Sequence, residues 1–315
     1  MTDHGKGLLG AGGRLLLRRW GLLFWVFLAN VAFGALGTAP AVRQLRNTLR
    51  HTLAGEQLFR GFDVGMFYEL VRLPEAGLLR FTSSSYVLAA LFPVFLLFVS
   101  GGILEAYRQD RRLTTGEFFA SSGEFFWRFV RLALMSLVVF AVLYNAYLDG
   151  DRLADRIGDK FVADQVGFAI WLAGVIVLVL LVLFVRLWFD LAKVRSVAQN
   201  ERWMLQNSLQ SLEIARHHVG PLLWLYLRIS LVAWIAASVA FLIWMKIPPT
   251  AVWATFVLLE LVVLAQLGGR LWQMASITVW YQRYAAEIVP PQPEATEPEP
   301  QLPLYPETEL PAAGD

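Results

Sequence analysis

Six long runs of hydrophobic residues divide the chain, and very few charged side chains interrupt them. A run of about 20 apolar residues is long enough to cross a hydrocarbon core of ~30 Å as a helix with a rise of about 1.5 Å per residue. The pattern therefore predicts an all-α, polytopic integral membrane protein built as a six-transmembrane-helix bundle. The predicted spans cover about residues 20–42, 81–107, 129–148, 165–190, 222–245 and 250–284, within a membrane domain of residues 20–287.

The composition agrees with a membrane protein. Of the 315 residues, 57% are hydrophobic and 17% are charged, respectively above and below the averages of soluble domains. Cysteine is absent, which excludes disulfides and thiolate sites. No histidine pair has metal-ligand spacing, and no phosphate-loop or nucleophile motif is present. We therefore expect no catalytic residue, no metal, no cofactor and no nucleic-acid partner.

The distribution of charge predicts the orientation. Residues 1–19 form a basic tail, and the connections 108–128 and 191–220 are rich in arginine, whereas the connection 149–164 is rich in aspartate. Basic connections usually stay in the cytoplasm, so we expect both termini on the cytoplasmic side of a bacterial cytoplasmic (inner) membrane. The "APA" at 39–41 resembles a signal cleavage site, so the first span is either an uncleaved anchor or a removed signal.

Residues 43–80 should lie outside and yet contain several arginines. Val42, Leu45 and Leu49 form an apolar stripe at helical spacing. This pattern predicts a helix that lies on the outer leaflet with its arginines among the head groups.

The connection 108–128 contains the tetrapeptide GEFF twice, seven residues apart. Thr114 precedes Glu117 by three residues, and Ser121 precedes Glu124 by three, so each copy matches a capping box. We read the pair as two helix starts: an interfacial elbow helix, then a restart at Ser121 into the third span.

The connection 191–220 predicts a second cytoplasmic elbow helix. Asn200 is placed to cap its start, and Leu205, Leu209 and Leu212 share one face. Two such elbows flank the third and fourth spans and offer a surface for a cytoplasmic protein partner.

Residues 288–315 differ in composition from the rest of the chain. Eight of the 14 prolines lie there together with acidic residues and no basic one. Such a segment is typical of a disordered, acidic, proline-rich cytoplasmic tail, and it is a second place where a protein partner could bind.

Charged groups inside a span are the candidate functional residues, since they usually face a bundle interior or an aqueous path. Glu260 lies within the sixth predicted span, and Arg228 of the fifth is its candidate partner. A second set marks the predicted inner-leaflet boundary, with Arg186 and Asp190 spaced as an i,i+4 pair. This polar belt suits either inter-helix ion pairs or contact with anionic lipid head groups. It consists of Glu105, Arg108, Arg186, Asp190 and Arg270.

The stretches "GGILEAYRQD" and "RLWFDLAKVR" end the second and fourth predicted spans. In these endings the chain resembles uncharacterised six-span bacterial inner-membrane proteins. The resemblance implies the six-span fold and brings no activity with it.

Three functions fit these observations. The first is a non-enzymatic membrane protein with a scaffold, assembly or accessory role, in contact with the lipid bilayer. The second is a transport component in which Glu260 and Arg228 line a substrate or proton path. The third is a lipid-handling membrane enzyme that uses the polar belt.

Overall fold

The computed structural model describes residues 7–49, 83–158, 164–248 and 251–288. All regular secondary structure in these ranges is helical, which confirms the all-α prediction. The helices are α1 (Leu8–Arg18), α2 (Trp20–Leu49), α3 (Ser83–Gln109), α4 (Thr115–Gly158), α5 (Asp164–Gln199), α6 (Met204–His217), α7 (Val219–Trp244) and α8 (Val252–Ile288).

Six of these helices, α2, α3, α4, α5, α7 and α8, are long and apolar enough to cross a membrane. This finding confirms the predicted six-span architecture. Neighbouring spans run antiparallel where their contacts are closest. On α7 and α8, for example, Gly269 lies against Ala233 while Gln273 reaches Ser230.

Buried side chains are confined to one end of the bundle, which we call the packed end. It consists of α1, α6 and the adjoining halves of the six spans. The last buried residue is Leu132 in α4 and Ile229 in α7, whereas burial in α8 begins only at Leu271. Beyond these points no described residue of the three helices is buried. The packed end holds the connections that were predicted to be cytoplasmic.

Helix α1 forms where the sequence suggested only a basic tail. Leu8, Leu15 and Leu16 are buried, and α1 packs along the second half of α8. There the Trp272 indole N–H donates to the Leu9 carbonyl at 3.0 Å. The described N-terminal residues and the end of α8 therefore lie at the same end of the bundle.

The first predicted capping box is present at the start of α4. The Glu117 N–H donates to Thr114 Oγ1 at 3.3 Å, and the Thr114 N–H donates to the Glu117 carboxylate at 2.8 Å. The second predicted helix start, at Ser121, is wrong because α4 continues through it without a break. Ser122 is fully buried against α3, where its Oγ accepts the Gly102 N–H at 3.2 Å.

The two GEFF copies instead form one repeated packing surface on a continuous helix. Their second phenylalanines, Phe119 and Phe126, lie on either side of Phe98 of α3, with ring centroids 6.1 and 6.0 Å from it. Their first phenylalanines, Phe118 and Phe125, pack where α3 presents two glycines. The seven-residue spacing places equivalent side chains on the same face of α4.

The boundaries of other segments also differ between the prediction and the structure. Helix α2 continues past Pro40 to Leu49, so the first residues of the predicted outer helix continue α2 beyond the candidate span, which ends at Pro40. The rest of that predicted helix, like nearly all of the tail 288–315, lies outside the described residues. Helix α4 extends to Gly158, so most of the predicted outer loop is helical.

The elbow helix predicted in 191–220 exists as α6, but it begins later than predicted. Asn200 has a φ of 53°, so it follows the last turn of α5 and does not cap α6, which begins at Met204. Leu205 and Leu209 are exposed. The inner face is polar: Asn207 Nδ2 donates to the Ala192 carbonyl of α5 at 2.8 Å.

Candidate functional site

A buried ion pair joins α5 to α8 at the packed end. Asp190 is only 2% exposed, and its two oxygens accept hydrogen bonds from Arg270 at 2.5 and 2.6 Å. The Tyr226 hydroxyl of α7 donates to the same carboxylate at 3.0 Å. Three spans thus meet at one carboxylate, and we call this group the Asp190 cluster.

Two more cations surround the Asp190 cluster. Lys193 Nζ lies 4.0 Å from an Asp190 oxygen, one turn further along α5. Arg186 is close enough to interact electrostatically, but the predicted i,i+4 ion pair between Arg186 and Asp190 does not form. Arg270 of α8 is the ion-pair partner of Asp190 instead. One carboxylate therefore faces three cations, which leaves an excess of positive charge at this level of the bundle.

Glu105 and Arg108 of the predicted polar belt make a separate local group. Arg108 donates twice to the Glu105 carboxylate, at 2.5 and 2.8 Å, within the last turns of α3, and Gln109 donates to it as well. Gln282 of α8 donates to the Arg108 carbonyl at 2.8 Å, which ties the end of α3 to α8. The belt thus divides into two hydrogen-bonded groups, and Arg186 lies near the Asp190 cluster without a side-chain hydrogen bond to it.

Glu260 and Arg228 do not come together. Arg228 stacks on Trp224, with its guanidinium carbon 4.6 Å from the ring centroid. Gln273 contacts Ser230 across α7 and α8, and Glu260 precedes Gln273 by about 13 residues, or ~20 Å along the helix. Glu260 Oε2 is enclosed and has no hydrogen-bond partner.

A cleft of about 830 Å³ lies between α2, α3 and the start of α4. Arginines from α1, from the α1–α2 junction and from the α3–α4 connection line one end, and apolar side chains line the rest. We call it the arginine cleft. Its charged end has Arg18, Arg19, Arg111 and Arg112, and its apolar walls include Trp25, Val26, Ala29, Ala32, Phe95, Val99, Ile103 and Phe118.

Two acidic residues partly neutralise the charged end of the cleft. Asp110 accepts a hydrogen bond from Arg18 at 2.7 Å and lies 3.8 Å from Arg19. Glu117 accepts two hydrogen bonds from Arg111, at 2.9 and 3.0 Å, and these bonds raise the pKa of the Arg111 guanidinium. Four arginines and two carboxylates leave a net charge of +2.

Sequence reasoning did not identify this cleft, because no single segment carries it. The available signal was local to α1, where Leu8, Leu15 and Leu16 recur at helical spacing beside the arginines. That stripe indicates a docked amphipathic helix, and docking brings Arg18 and Arg19 to the end of α3. Tyr226 of the Asp190 cluster was likewise absent from the predicted belt.

Within the described ranges, no group of three or more histidine, aspartate or glutamate side chains could hold a metal ion. No protein-family model, curated protein or solved structure matches the chain. No family is identified for the chain, and the structure supports six candidate membrane-spanning helices.

Proposed function

We propose that the chain is a non-enzymatic integral protein of a bacterial cytoplasmic membrane with a scaffold, assembly or accessory role. The observation that supports this role is the set of hydrogen bonds that the Asp190 carboxylate forms with other helices. Both Asp190 oxygens accept bonds from side chains of α7 and α8. A carboxylate engaged in this way holds helices together and is poorly placed to exchange protons with a substrate.

The proposed orientation places the packed end in the cytoplasm, in keeping with the arginines there. The chain has no cysteine, so single cysteines can be labelled without background. We expect an impermeant maleimide to label Asp149→Cys in cells with a permeabilised outer membrane, and Arg216→Cys only after lysis. Both side chains are exposed in the fold. The reverse pattern would overturn the orientation.

A scaffold must hold a partner in fixed proportion. We expect purification of the tagged full chain in polymer nanodiscs to recover a second protein in constant stoichiometry. Two variants locate the contact: deletion of residues 289–315, and Leu205→Ser combined with Leu209→Ser on the exposed face of α6. We expect one of them to release the partner, because the tail and the elbow are the proposed contact surfaces. Recovery of no stoichiometric partner would contradict the scaffold role.

The second candidate is a transport component, and Glu260 is the observation that favours it. An enclosed carboxyl oxygen without a partner, inside a span, is suited to binding and releasing a proton. Arg228 would then line the path nearer the packed end. Vesicles with an internal pH dye test this candidate. Proton flux that needs the chain and is abolished by Glu260→Gln would support it, and a flux equal to that of empty vesicles would exclude it.

A further inference from the structure

The arginine cleft combines a cationic end with a long apolar lane. The lane follows α2 from Arg19 to Ala32, about 13 residues or ~20 Å. One leaflet of a bilayer offers about half of a ~30 Å hydrocarbon core. The lane therefore has the length of one lipid chain, and the charged groups lie where the head group of that lipid would be.

Within the described residues, the side chains of two of the four arginines donate no hydrogen bond. Arg19 is only 8% exposed, and its Nε has no hydrogen-bond partner. Its nearest acid, Asp110, lies 3.8 Å away and already accepts a bond from Arg18. Arg112 forms no ion pair with any residue in the described part of the chain. Burying a guanidinium donor without an acceptor is costly, so the cleft lacks an acceptor at this point.

The connection between α3 and α4 fixes the two unsatisfied arginines beside the lane. Asp110 has a φ of 46°, a left-handed conformation that ends α3 and turns the chain, and its side chain binds Arg18 from α1. Glu117, held by the capping box with Thr114, binds Arg111. The side-chain hydrogen bonds of Asp110 and Glu117 thus go to Arg18 and Arg111, and Asp110 lies within ion-pair distance of Arg19 as well. Arg19 and Arg112 keep donors for the cleft.

From this geometry we propose that the arginine cleft binds a phosphate-bearing anionic membrane lipid. Its phosphate accepts hydrogen bonds from Arg19 and Arg112, and one of its chains lies along Ala29 and Ala32. Arginine matches the oxygens of a phosphate through its planar set of donors, and basic pockets between spans are typical sites for anionic lipid head groups. This site differs from the Asp190 cluster and does not depend on the scaffold role.

The test is native mass spectrometry of the purified full chain, titrated with phosphatidylglycerol, with phosphatidylcholine and with inorganic phosphate. We expect one phosphatidylglycerol to bind with at least tenfold preference over phosphatidylcholine. Arg112→Gln should weaken that binding about fivefold. Ala29→Trp, which fills the lane and keeps every arginine, should also weaken it. Arg216→Gln, which removes an exposed arginine of α6 outside the cleft, should change nothing.

Three outcomes would overturn the proposal. Equal retention of the two lipids would mean general solvation by the bilayer. Binding that Arg112→Gln and Ala29→Trp leave unchanged would place the lipid elsewhere. Displacement of the lipid by millimolar inorganic phosphate would show a site for a free anion. Because Arg112 is exposed, its loss should not unfold the chain, and unchanged thermal unfolding of Arg112→Gln checks this.

Discussion

Arg270 of α8 and Asp190 of α5 lie 80 residues apart in the chain and form a pair of parallel hydrogen bonds of 2.5 and 2.6 Å. The pair is bidentate, and the Asp190 side chain is almost completely buried. Removal of one partner from a buried pair leaves an uncompensated charge, whereas removal of both does not. The two kinds of variant should therefore behave differently.

We expect Asp190→Asn to lower the free energy of unfolding by about 3–5 kcal/mol, because Arg270 and Lys193 lose their shared counter-charge. Asp190→Leu combined with Arg270→Met should lose less than Asp190→Asn alone. Unfolding in mixed micelles, followed by tryptophan fluorescence, measures both. If the loss of unfolding free energy in the double variant equalled the sum of the losses in its two single variants, the residues would not interact.

The crossing of α3 and α4 should be sensitive at Gly102. A Cβ added there would lie 2.6 Å from the Phe118 ring and 2.7 Å from Ser122 Oγ. We expect Gly102→Ala to cost about 1–3 kcal/mol through overpacking. The matched control is Gly123→Ala, since nothing lies within 4 Å of a Cβ there and alanine favours a helix by up to about 1 kcal/mol. Equal thermal stability of the two variants would argue against the close crossing.

The six spans could be predicted from the sequence because their length and apolar content are set by the bilayer. The first capping box could also be predicted, since Thr114 and Glu117 are three residues apart in the sequence. The second box has the same local signature and is nevertheless not used. Ser122, its neighbour, is buried against Gly102 of α3, and this tertiary contact keeps α4 continuous.

The candidate site was less predictable for the same physical reason. Spacing within one helix favoured Arg186 as the partner of Asp190, whereas the structure supplies Arg270 from α8. Which cation reaches a carboxylate depends on how helices are arranged around it, and no local pattern records that arrangement. The arginine cleft likewise needs α1 to dock before its charged end exists.

Replacing the capping residue of the first GEFF copy should change stability, whereas replacing that of the second should not. Thr114→Ala should cost about 1 kcal/mol, the usual effect of removing an N-cap side chain, because Thr114 Oγ1 accepts the Glu117 N–H. Ser121→Ala should cost nothing measurable, since α4 does not begin there. Chemical unfolding of the two variants compares them directly. A larger loss for Ser121→Ala would restore the interpretation of two helix starts.

The docking of α1 should depend on Gly12. A Cβ at this position would lie 2.9 Å from the Ser276 Cα, a backbone atom of α8 that cannot easily move. We therefore expect Gly12→Ala to separate α1 from α8 and to expose Leu8, Leu15 and Leu16. Hydrogen exchange across residues 8–18 should then increase by at least tenfold. Gly10→Ala, for which nothing lies within 4 Å, should leave exchange unchanged or slower. Because docking of α1 brings Arg19 into the arginine cleft, Gly12→Ala should also weaken retention of phosphatidylglycerol. Slow exchange in Gly12→Ala would show that α1 is not held by this contact.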